Sequence, residues 1–171
     1  MALALLFILG ALQGATVEPD ISLSLACGPS DSTVSLTLRN PTEANTAVLL
    51  GIVLANGQWY LPREIVAELT REGSADTETL VFGGPRNIAG PMDHWVVALP
   101  MRSAFTLTLS ANDFISTSAV QASSAPEQLR VRLTGKSITS DLNVDMTGMK
   151  SWRLWNGTAT SNTIRLSECR K

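Results

Sequence analysis

Histidine occurs once in these 171 residues, tyrosine once and cysteine twice. Nucleophilic hydrolysis needs a base within reach of a serine, threonine or cysteine, and the only imidazole is His94. Its neighbour Asp93 falls on the opposite face of any strand, so the two cannot form a base and its orienting carboxylate. Neither a Gly-x-Ser-x-Gly elbow nor a Ser-x-x-Lys step is present. Cys27, Cys169 and His94 offer at most three soft ligands at unrelated spacings, which argues against a metal centre.

The chain also lacks any field of one charge sign. Its 13 basic and 15 acidic residues are scattered singly, so nothing steers it toward nucleic acid or an anionic membrane. The dispersed acids mark no paired-carboxylate cleft of the glycosidase kind. The expectation is a non-enzymatic protein with no cofactor.

Two local strings mimic known sites. Gly135-Lys136-Ser137 ends like a phosphate loop, but Arg130 stands where that loop needs its first glycine. Asp141, Asn143 and Asp145 are spaced like the opening of a calcium loop, yet Met146 and Trp152 occupy the positions of its glycine and glutamate. The first reads as a turn, the second as a strand with Leu142, Val144 and Met146 inward.

What is present begins with MALALLFILGALQGA, an apolar run of about ten residues that ends in small residues and resembles a secretory signal peptide lacking its usual basic start. It predicts a signal peptide over 1–15 and one domain over 16–171, secreted or periplasmic. No later stretch is long and apolar enough for membrane insertion after cleavage. An even cysteine count in an exported chain reads as a disulfide, here Cys27 with Cys169, tying the two ends together. Two free thiols in a cytosolic protein is the alternative.

Alternation of apolar and polar residues at period two recurs along the chain and puts one set on a buried face. Ile21, Leu23 and Leu25 show it, as do Val34, Leu36 and Leu38. So do Phe105, Leu107 and Leu109, and again Leu129, Val131 and Leu133. Ala47 to Ala55, Ile65 to Leu69 and Trp95 to Leu99 are more continuously apolar and read as central strands between facing sheets. Asn56-Gly57 predicts a two-residue hairpin turn, and a short helical piece is expected around Ala111 to Ile115. Residues 116–128 read as a surface loop or linker, followed by further strands of the same fold. Short strands with turn signals between them and almost no helical period predict an all-β, antiparallel, immunoglobulin-like β-sandwich.

The succession VSLTLRNPTEANTAVLLG, WYLPREIVAEL and DHWVVALPMRSAFTLTLS resembles the layout of immunoglobulin-like accessory domains of secreted proteins, such as the prodomains of deuterolysin-type metalloproteases. The likeness spans roughly residues 20 to 115 and is one of pattern. It implies a secreted accessory β-sandwich. The zinc-binding HExxH helix of those proteases does not occur, and no site residue carries over.

The most distinctive local feature is SWRLWNGT, residues 151–158. Trp152 and Trp155 beside Arg153 form a stacking platform for a glycan or an anchor for a protein if exposed, and packing of the last strands if buried. Asn156-Gly157-Thr158 is an acceptor sequence for N-glycosylation in a eukaryotic host, whereas Asn40-Pro41-Thr42 is blocked by its proline. The expected function is binding, with a protein as partner first and a glycan second. A third reading is a protease inhibitor presenting the loop GGPRNIAGP with Arg86.

Overall fold

The computed structural model describes residues 21–31, 33–54, 59–71, 73, 75–82, 92–110, 113–116, 127–135 and 152–169. Thirteen strands and one 3-10 turn make up their regular structure. The alternating segments form strands as their period requires. β1 (Ser22–Cys27), β2 (Thr33–Arg39) and β8 (Ala104–Ser110) build a three-stranded antiparallel sheet with β2 in the middle. Leu25 stands opposite Leu36, and Leu36 opposite Leu107, so one face of this sheet is aliphatic.

A second sheet is organised on β3 (Thr46–Leu54), in which seven of nine residues are buried. β7 (Met92–Leu99) runs antiparallel along all of it, from Thr46 opposite Leu99 to Leu54 opposite Met92. β4 (Trp59–Leu61) also pairs antiparallel with β3, and β11 (Arg153–Leu154) adds to its start in parallel. Leu54 stands opposite Trp59, as a hairpin through Asn56-Gly57 requires; the turn itself lies outside the described residues.

The third sheet runs β12 (Thr158–Thr160), β10 (Glu127–Thr134), β5 (Ile65–Arg71), β6 (Thr77–Phe82) and β9 (Phe114–Ser116). β13 (Ile164–Arg165) pairs β10 as well, and the 3-10 turn Leu166–Cys169 follows it. The strands after residue 126 are therefore laddered to β5 and β3.

Three readings of the sequence are corrected here. Of the helical piece expected around Ala111 to Ile115, Phe114 and Ile115 belong to strand β9 and Asp113 stands in a 3-10 turn, while Ala111 and Asn112 lie outside the described residues. The expected 116–128 loop is shorter, because Ser116 ends β9 and β10 starts at Glu127; residues 117–126 lie outside the described residues. Trp95 to Leu99 is not central: among the described residues β7 pairs only with β3, so Ala98 is exposed and Trp95 and Val96 are half-buried. An edge strand has a ladder on one side only, and its outer side chains meet water more readily.

The inward residues of all three sheets meet in one apolar cluster that includes Leu23, Leu36, Leu50, Ile65, Val131 and Trp155. Each fully buried leucine or isoleucine contributes roughly 1.5–3 kcal/mol over leaving it in water. The chain changes sheet repeatedly, and two of these crossings, β2–β3 and β7–β8, meet at one side chain. Asn40 is fully buried, its amide nitrogen donating to the carbonyls of Ala44, Leu99 and Pro100 at 2.8–3.0 Å. Its Oδ1 accepts from both the amide and the hydroxyl of Thr42. A single carboxamide thus binds backbone groups of both crossings.

Gly51 sits at a register shift in β3 where β4 turns toward β5. A Cβ there would lie 2.0 Å from the carbonyl oxygen of Leu61, so only glycine admits this close approach of two backbones. No helix among the described residues is long and apolar enough to cross a membrane.

Candidate functional site

Cys27 and Cys169 are bonded, with their Cα atoms 5.0 Å apart and a separation of 142 positions in sequence. Asn156 lies exposed in the link between β11 and β12. Arg153 is exposed and Trp152 half-buried.

Trp155 is where the structure departs from a binding platform. Its side chain is 2% exposed and belongs to the core cluster, so it is removed from any surface that could stack on a sugar or anchor a partner. Its amide donates to Ala47 at 2.9 Å, carrying on the direction set by β11 against β3. The indole is seated between two glycines. A Cβ on Gly135 would come 2.8 Å from Cε3, and one on Gly157 2.9 Å from Nε1. The acceptor-like Asn-Gly-Thr sequence therefore has a packing reason for its glycine. Sequence alone could not separate the two roles, because a tryptophan beside a turn glycine reads the same exposed or buried.

Among the described residues the exposed aromatic is instead Tyr60, which is 52% exposed and meets Trp95 edge to face with ring centroids 5.1 Å apart. This pair lies on the second sheet, contributed by β4 and β7. No motif marks it, since the two residues are far apart in sequence and are joined only through β3.

Sheet edges differ more sharply. At β1 the edge away from β2 is closed by Asn162: the amide of Leu25 donates to Oδ1 at 2.7 Å, and Nδ2 donates to the Leu25 carbonyl at 2.9 Å. The preceding Ser161 does the same for β10. Its amide donates to the Val131 carbonyl at 2.8 Å, and its hydroxyl accepts from the Val131 amide at 2.9 Å. Two consecutive residues thus join the first sheet to the third through backbone-like bonds.

On the far side of the same sheet, no strand of the described residues pairs with the outer edge of β8. Its seven residues AFTLTLS contain no charge and no proline. Proteins commonly protect an edge of this kind with lysine, proline or a bulge. The comparable long edge at β7 carries Asp93, which is exposed, and the half-buried His94.

Between the first and third sheets lies a cavity of about 210 Å³. Val34 and Leu109 line it from one side, and Ala67, Leu69, Leu129 and Val131 from the other. Leu80, Phe114 and Leu166, all half-buried, form its rim together with one carboxylate, Glu127. No group of three or more His, Cys, Asp or Glu side chains among the described residues is placed to hold a metal ion. Lys136, the Asp141, Asn143 and Asp145 string, the Arg86 loop and the first twenty residues lie outside the described residues. No family model, curated protein or solved structure matches the chain.

Proposed function

We propose that the chain is an exported, non-catalytic β-sandwich of immunoglobulin-like layout that binds an extended segment of a protein partner at the outer edge of β8. The observation that carries this reading is the contrast between the two edges of one sheet: Asn162 occupies both peptide groups of Leu25 in β1, while no strand of the described residues lies against the uncharged outer edge of β8 over residues 104–109. A strand added there gains backbone hydrogen bonds without any side-chain signature. Export is supported by the apolar N-terminal run and by the Cys27–Cys169 bridge, which oxidising compartments preserve. The sandwich layout is supported by the β2–β3 and β7–β8 crossings and by the one core the sheets share.

Consecutive peptide N–H groups on a strand point to opposite edges, which supplies the test. Proline at Thr106 and proline at Leu107 each remove one donor, one facing β2 and the other facing out. The variant that loses the β2 bond is destabilised. The variant that loses the outward bond keeps its thermal midpoint close to wild type and loses the partner captured by the wild-type protein from the extracytoplasmic fraction. Equal capture by wild type and by the outward-facing proline variant would overturn the proposal, as would catalytic turnover by the purified protein.

A further inference from the structure

Two apolar rows cross the inner face of the first sheet and end differently at its two edges. Leu23, Leu38 and Phe105 stand opposite one another in one row, and Leu25, Leu36 and Leu107 in the other. Leu38 and Leu36, on the middle strand, are fully buried, and Leu23 and Leu25 at the β1 end are buried as well. The chain at Asn162 lies against that end. At the β8 end Phe105 and Leu107 pack against the core cluster yet are half-buried, and no strand of the described residues lies beside them. The outer face carries hydroxyls instead. Ser24, Thr37 and Thr106 form a row there, with the Thr37 and Thr106 hydroxyls bonded at 2.8 Å, and Thr106 and Thr108 are exposed. The only charge within β1, β2 and β8 is that of Arg39, opposite Ala104 at one end of the ladder.

Backbone bonds give a strand addition its affinity, and the side chains beside it select the sequence. Residues opposite one another across a ladder share a face, so a strand added to β8 continues each row by one side chain. Opposite Phe105 and Leu107 an apolar side chain completes the cover that the rows lack. A charge placed there would lose water without gaining a partner. Opposite Thr106 a β-branched hydroxyl extends the row of Ser24, Thr37 and Thr106 on the solvent face. A slip of one residue would exchange the two faces, so the same rows hold the register. We propose that the segment recognised at β8 is an uncharged one of apolar–hydroxyl–apolar pattern, its two apolar side chains seated on Phe105 and Leu107. This gives the chemistry of the partner for the β8 edge and rests on that edge being open.

The probe is the peptide acetyl-KTVTVTK-amide, its lysines outside the pairing segment for solubility, followed by the amide resonances of Phe105, Thr106, Leu107 and Thr108 in the disulfide-intact protein. In the control acetyl-KTSTSTK-amide both valines are replaced by serine while every backbone donor and acceptor is kept. A second control, acetyl-KTETETK-amide, places carboxylates on the apolar rows. The expected result is a saturable shift of these amides by the valine peptide, binding about tenfold weaker by the serine peptide, and none by the glutamate peptide; partial burial of two valine side chains accounts for a factor of that size. Equal affinity of the valine and serine peptides at β8 would overturn the apolar selection while leaving the open edge intact. Absence of a saturable shift with the valine peptide would overturn the selection as well. The edge itself is tested apart from it: valine-peptide binding that is unchanged in the outward-facing proline variant of β8 would show that the contact is not a strand addition.

Discussion

Asn162 holds Leu25 as a neighbouring strand would, giving an acceptor at 2.7 Å and a donor at 2.9 Å to the two peptide groups of one residue. Because Ser161 makes the equivalent pair of bonds to Val131, the dipeptide substitutes for a strand between two sheets. Asn162→Ala is expected to cost about 1–2 kcal/mol, since two partly buried backbone groups lose their partners. It also opens the edge of β1, so size-exclusion chromatography is expected to show concentration-dependent self-association that wild type lacks at the same concentration. A monomeric variant of unchanged stability would contradict this role.

Removing the bridge between Cys27 and Cys169 frees a loop of 142 residues in the unfolded chain. The chain-entropy model puts the loss for Cys27→Ser with Cys169→Ser at up to about 5 kcal/mol. Urea unfolding under non-reducing conditions measures it against wild type. A difference below about 1 kcal/mol would mean that the ends stay together without the covalent link.

Trp155 fills the space that Gly135 and Gly157 leave open. Trp155→Ala is expected to destabilise by about 3–5 kcal/mol, the range for deleting a large aromatic from a core. Gly135→Ala forces a shift of backbone, because its new Cβ would meet the Trp155 carbonyl oxygen at 2.6 Å. Both effects are read as a fall in thermal midpoint. Full retention of stability by Trp155→Ala would restore the indole as a candidate for ligand contact.

Glu68 accepts from Arg130 at 2.8 Å and from Arg132 at 3.1 Å on the outer face of the third sheet, with its own side chain 14% exposed. Both arginines are more than a third exposed, so the network is worth only roughly 1 kcal/mol after solvent screening. Glu68→Gln is expected to lose about that amount at low salt and less at high salt, where the charges are screened. A salt-independent loss would assign the effect to packing.

Asn40→Asp replaces a donor to three carbonyls by an acceptor with charge. The expected loss at neutral pH is about 3 kcal/mol or more. Burial raises the folded-state pKa of the introduced carboxyl above its unfolded value, so the loss shrinks as pH falls through that range and the protonated group again donates. Thermal midpoints of variant and wild type converging toward acid pH check the sign.

The alternating strands were legible because period two leaves its mark on every residue. Leu23, Leu36, Leu109 and Val131 are inward as their spacing demands. Continuous apolar runs were less informative. Ala47 to Leu50 is buried throughout, whereas β5 alternates despite its run, with Ile65 and Ala67 inward and Glu68 outward. A run states hydrophobicity and leaves open whether one face or two is covered, which is decided by the sheet's neighbours. The pairing of Cys27 with Cys169 was legible from the count alone. Asn162 as an edge, the Tyr60–Trp95 contact and the cavity beside Glu127 were not. Each arises from residues distant in sequence, and serine followed by asparagine after a strand reads only as a turn.

Both ends of the described fold converge on one covalent link, with the Cα atoms of Cys27 and Cys169 5.0 Å apart. A pull applied to the chain outside these two residues therefore runs through the sulfur atoms and bypasses the strands between them. Tethered at its ends, the protein would carry mechanical load through β1, which precedes Cys27, and then through that link, with β2 and the later described strands unstretched for as long as the link stays oxidised.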